Sequence, residues 1–114
     1  METMEKQAGN VTVVSFTNRL DALAANDADK KLGSLVNKPA ANIVIDLSKL
    51  EYISSSGLRV FLAALKKVRS QGGDVRLACM QPYVKEVFDI AGFTTLFQIF
   101  EKEEDAVNSY AGTK

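Results

Sequence analysis

Ile43, Val44 and Ile45 form an unbroken β-branched run, continued after Asp46 by Leu47. β-branched side chains favour extended backbone. A strand with one wet face alternates apolar and polar residues, and this run does not, so it reads as a central strand covered on both faces. The flanking segments supply the cover. Upstream, Ala25, Ala28, Leu32, Leu35 and Val36 recur at helical spacing, with Asp27, Asp29, Lys30 and Lys31 largely on other faces and Pro39 as a stop. Downstream, Leu58, Phe61, Leu62, Leu65 and Val68 repeat every three or four residues. Lys66, Lys67 and Arg69 fall near that helix's end, where cations suit its dipole, and Gly72-Gly73 terminates it.

The remaining segments fit the same plan. Val11 to Phe16 reads as a strand, and the weakly patterned first ten residues hold a short edge strand before a Gly9-Asn10 hairpin turn. Val75, Leu77 and Cys79 alternate with Arg76, Ala78 and Met80 as another strand, on which Cys79 packs as a small apolar side chain. Pro82 opens a helix whose stripe is Val84, Val87, Phe88 and Ala91, capped by Gly92. Leu96 to Phe100 reads as a last short strand, and Glu103 to Tyr110 is a candidate terminal helix. The fold class is therefore α/β, in the order β-β-α-β-α-β-α-β with a possible closing α. Strands alternating with helices imply right-handed crossovers and a mainly parallel sheet, to which the hairpin adds an antiparallel edge. At 114 residues the expectation is one domain spanning residues 1–114.

Composition narrows the chemistry. Fourteen Lys and Arg balance fourteen Asp and Glu, so the formal net charge is zero, which argues against a nucleic-acid or anionic-membrane partner. The chain has no His and a single Cys. A Ser-His-Asp or Cys-His nucleophile system lacks its base, a four-ligand zinc site lacks its ligands, and no intrachain disulfide can form. The expectation is no catalytic residue, no metal and no cofactor. Glu2, Glu5 and Lys6 interrupt any signal-peptide core, and no apolar run reaches the roughly 18 residues of a membrane span, so the expected setting is cytoplasmic without membrane insertion.

The segment from Asp46 to Leu58 carries the most information. It joins the carboxyl end of the central strand to a helix beginning at Ser54-Ser55-Ser56-Gly57, the edge where open α/β sheets meet ligands and partners. Serine before a helix is an ordinary N-cap, and close packing alone accounts for a glycine such as Gly57. A helix start also favours an anion, carried either by a bound nucleotide or by a phosphorylated serine. The nucleotide reading lacks both glycine-rich phosphate loops, and no Lys or Arg lies between Glu51 and Leu58; Arg59 is the nearest cation in the helix. A serine nucleophile here has no evident base.

These residues resemble the STAS family (sulfate transporter and anti-sigma factor antagonist). The shared pattern is a hydrophobic strand ending in Asp46-Leu47-Ser48, a short loop, and the helix start Ser55-Ser56-Gly57-Leu58. Gly72-Gly73, the segment Pro82 to Phe88 with Gly92-Phe93, and Leu20-Asp21 match further family turns, so the resemblance covers nearly the whole chain. It implies a stand-alone anti-sigma factor antagonist, not an enzyme. Such a protein binds an anti-sigma factor, usually a serine kinase, and frees a sigma factor until the kinase phosphorylates it; a phosphatase reverses the mark. By alignment on Gly57 the implied acceptor is Ser55, with Ser54 and Ser56 as less favoured neighbours, and Asp21, Ser54, Ser56, Gly57 and Leu58 surround the partner site. Asp46 joins Asp21 there if both loops share one edge. The alternative is a nucleotide- or anion-binding STAS module, or a STAS subunit of a transporter or stress-signalling complex. The chain departs from the family at Ser54 (usually Asp), Asn18 (usually Gly) and Arg19 (often Glu). Asn tolerates left-handed backbone better than most residues, so the turn at position 18 is expected to persist.

Overall fold

The computed structural model describes residues 2–111. Its strands are Thr3–Ala8 (β1), Val11–Phe16 (β2), Asn18–Leu20 (β3), Asn42–Asp46 (β4), Leu50–Ile53 (β5), Asp74–Ala78 (β6) and Gln98–Phe100 (β7). Its helices are Ala25–Val36 (α1), Ser55–Ser70 (α2), Pro82–Ile90 (α3) and Glu103–Ala111 (α4). Five strands form the main sheet in the order β1-β2-β4-β6-β7. β1 runs antiparallel to β2 across the Gly9-Asn10 turn, and the other pairings are parallel.

The β-branched run sits where its composition demands, in the middle of this sheet. Ile43 and Ile45 join the larger core with Ala28, Leu32 and Leu35 of α1, Phe61 and Leu65 of α2, and Val84 and Phe88 of α3. Val44 points the other way, into a smaller cluster with Val11, Val13, Ala78, and Ala106 and Tyr110 of α4. An aromatic chain ties the helical layer together: the ring centroids of Phe16 and Phe61 are 5.8 Å apart, and those of Phe61 and Phe88 6.3 Å. The α2 terminus follows its double glycine. Gly72 takes φ 87°, and a Cβ on Gly73 would lie 2.1 Å from the Ala41 carbonyl oxygen, so no larger residue fits there.

Several expectations are corrected. β3 and β5 form a separate two-stranded parallel sheet; at three and four residues they are too short for periodicity to mark. The last strand begins at Gln98, because Phe93–Thr95 makes a 3₁₀ turn after which Phe97 enters the core and Leu96 stays exposed. Cys79 is off its strand. β6 stops at Ala78, and Cys79 adopts φ 63° with its N–H bonded to the Phe100 carbonyl oxygen at 3.0 Å. Leu62 is half-buried and Ala91 exposed.

Arg76 departs most from the alternating pattern: it is only 8% exposed. α4 lies over it. Its guanidinium stacks 4.0 Å from the Tyr110 ring centroid, donates from Nε to Asp74 Oδ2 at 3.1 Å, and donates from Nη1 to Ser109 Oγ at 2.6 Å. The Tyr110 hydroxyl lies 2.7 Å from the carbonyl oxygens of both Ile43 and Asp74 and accepts the Ile43 N–H at 3.2 Å. Burial, with Asp74 beside it, raises the pKa of this hydroxyl well above the usual tyrosine range.

Candidate functional site

The serine segment is fixed by two bonds at Ser54. Its backbone is extended (φ −89°, ψ 169°), and its Oγ accepts the Gly57 N–H at 3.1 Å, capping α2. Its own N–H donates to the Leu20 carbonyl oxygen at 2.9 Å, which ties the helix start to the end of β3. Gly57 lets α2 settle on the small sheet. A Cβ there would stand 2.9 Å from both Ile53 Cγ1 and Leu20 Cγ. Gly57 and Leu58 are therefore buried, beneath the site rather than on its surface.

The three hydroxyls differ. Ser54 Oγ is committed to the cap. Ser56 is half-buried, and its Oγ accepts a long contact of 3.5 Å from Arg59 Nη2. Ser55, the first helical residue, is exposed, and among the described residues its Oγ has no hydrogen-bond partner. The site thus presents one open hydroxyl, to which no neighbouring side chain is bonded as a base.

Beside the serine segment, joined to it by the Ser54–Leu20 bond, run β3 and the turn after it. Asn18 takes φ 65°, the left-handed conformation expected of it. Arg19 pairs in register with Tyr52, and its guanidinium lies 4.2 Å from that ring's centroid. Asp21 Oδ1 accepts the Ala24 N–H at 3.0 Å, so this carboxylate shapes the turn leading into α1. Leu23 projects from that turn, 90% exposed. Asn18, Arg19, Asp21, Leu23, Ala24 and Asp27 line a shallow cleft. Sequence reasoning missed the Arg19–Tyr52 stack and Leu23. Nothing local marks the stack, because it depends on the β3–β5 register. Leu23 had no mark either, because it stands among Ala22, Ala24 and Ala25 and reads as one more core residue.

Asp46 does not join Asp21. It lies on the α4 side, in a depression lined in part by Lys6, Ser15, Ser48 and Glu103. Its Oδ1 accepts the Ser48 N–H at 2.8 Å, and Lys6 pairs with Glu103 at 2.7 Å. Burial opposes ionisation of Asp46, but hydrogen bonds with Glu103 and Ser48 and the charge of Lys6 together hold its carboxyl below the usual range. Nearby Cys79 is pushed up, first by burial and then by the Asp46 charge, which makes it a poor thiolate.

The family model of the STAS domain matches residues 3–106. The chain belongs to the STAS family. The relative BtrV of Bordetella bronchiseptica is 33% identical over 108 residues, covering 95% of this chain and 92% of that protein. The anti-sigma-B factor antagonist of Bacillus subtilis is 31% identical over 102 residues, covering 90% and 93%. Among solved structures, the unphosphorylated form of the anti-sigma factor antagonist SpoIIAA of Bacillus superposes with a TM-score of 0.84 over 99% of both chains at 20% identity, a likeness of fold. The expected α/β STAS architecture is the one observed. Among the described residues no helix of this STAS chain is long and apolar enough to cross a membrane.

Proposed function

We propose that residues 1–114 act as one STAS domain whose function is anti-sigma factor antagonism. In this reading the unmodified protein binds an anti-sigma factor that is a serine kinase, releases a sigma factor in the cytoplasm, and is switched off by phosphorylation of Ser55. The observation that carries the reading is the exposure of the Ser55 hydroxyl at the start of α2, while Ser54 caps the helix and Ser56 is half-buried. Relatives matched over nearly their full length, both named for this activity, support it.

The chemistry is done to the protein, which is not itself an enzyme. The kinase transfers the γ-phosphoryl group of ATP to Ser55 Oγ, giving phosphoserine, ADP and a proton. A phosphatase adds water and returns serine and inorganic phosphate. A phosphoserine brings about −1.5 to −2 charges. Placed in an interface, a penalty of about 3 kcal/mol weakens binding roughly a hundredfold, enough for a switch without refolding.

The test uses the kinase-type anti-sigma factors of the same genome, each purified and incubated with this protein and ATP. Mass spectrometry is expected to place one phosphate on Ser55; phosphate only outside Ser54–Ser56 overturns the site. Ser55→Ala is expected to bind the kinase whether or not ATP is present, and Ser55→Asp to bind about a hundredfold more weakly. Undiminished binding by Ser55→Asp would sink the charge mechanism.

A further inference from the structure

Arg59 lies one helical turn after Ser55, and residues four apart share a helix face with Cβ atoms about 5–6 Å apart. Its guanidinium is turned back toward the helix start, with Nη2 3.5 Å from Ser56 Oγ, at the outer limit of hydrogen bonding. Among the described residues Arg59 has no carboxylate partner, whereas Arg69 and Arg76 both pair with Asp74, and Lys85 pairs with Asp89. The first turn of α2 contains no acidic residue. An exposed, weakly held cation therefore stands one helical turn from the one open hydroxyl of the segment.

We infer that Arg59 is a built-in clamp for the phosphate on Ser55. On modification its guanidinium leaves Ser56 and pairs with the phosphate oxygens, a fork geometry suited to bidentate binding. This rests on the reading of Ser55 as the acceptor and adds how the mark is held. The unmodified protein presents a hydroxyl and an unpaired guanidinium to its partner. The phosphorylated protein presents a phosphate with that guanidinium folded onto it, so the partner loses the cation as well as the neutral surface. Other charges on the elements beside the start of α2 are Arg19 on β3, Asp21 after it, and Glu51 on β5. The two carboxylates favour protonation of the phosphate, and Arg59 opposes them.

The test incorporates phosphoserine at position 55 during translation, so no kinase is needed, and follows the second phosphate ionisation by ³¹P NMR. Its pKa is expected to lie below the value of about 6 usual for phosphoserine. Arg59→Ala should raise it by about 0.3 unit or more, a roughly twofold change in proton affinity. Arg59→Lys should raise it less, because the charge stays and the fork is lost. Arg19→Ala should raise it less than Arg59→Ala does, because Arg19 is held over the Tyr52 ring. An unchanged pKa in Arg59→Ala, or an equal shift in Arg19→Ala, overturns the clamp. Failure of every kinase to modify Ser55 would overturn the functional reading and leave the titration result standing.

Discussion

At Gly57 one missing methyl group sets the position of the site. Its backbone N–H is held by Ser54 Oγ, and the space above its Cα belongs to Ile53 and Leu20. Alanine is the better helix former by up to about 1 kcal/mol, but a buried overpacked contact costs about 1–3 kcal/mol. Gly57→Ala is therefore expected to destabilise the fold by about 1–2 kcal/mol in urea unfolding; a more stable variant would show that α2 can lift off the small sheet without cost. The serines and this glycine were legible in the sequence, because caps have local chemical causes; the left-handed turn at Asn18 followed from the family resemblance, and the one at Cys79 had no local mark. The Arg19–Tyr52 stack was not, since it follows from a register between segments some thirty residues apart.

Among the elements, α4 shows most clearly where tertiary context overrides local pattern. The stripes of α1, α2 and α3 announce themselves, and so does the buried β4. Arg76 reads as the outward member of an alternating strand until α4 covers it and Tyr110, Ser109 and Asp74 take up its charge. The Tyr110 hydroxyl fastens that helix to the backbone of β4 and β6. Tyr110→Phe keeps the ring and the Arg76 stack but strips the hydroxyl from buried backbone groups. The expected loss is about 1–3 kcal/mol of unfolding free energy, read by denaturation. A neutral Tyr110→Phe would mean that α4 contributes through apolar contact alone.

Over the whole molecule, the groups whose ionisation is shifted by folding gather on the α4 side. Asp46 is held below its ordinary value of 3.8, so its stabilising contribution is complete above that pH and is lost as pH falls through the lowered value. Lys6 is raised from 10.5, chiefly by its hydrogen bond to Glu103, so its contribution is present below 10.5 and fades as pH rises through the raised value. Tyr110 stays protonated in the folded state beyond its ordinary value of 10.0, so stability falls once the unfolded chain begins to ionise there. Both extremes are thus expected to open α4 before α2. Amide exchange near about pH 3 and above about pH 10, expressed as protection factors, checks this; earlier loss of protection in α2 would contradict it.

The two apolar clusters lie on opposite faces of the central sheet, with Ile43 and Ile45 facing one and Val44 the other. The sheet works as a partition wall. A dye or a surface tether placed on the outer side of α4 has the whole sheet between it and Ser55, so the molecule can be immobilised or labelled by one face while the other is left to meet its partner.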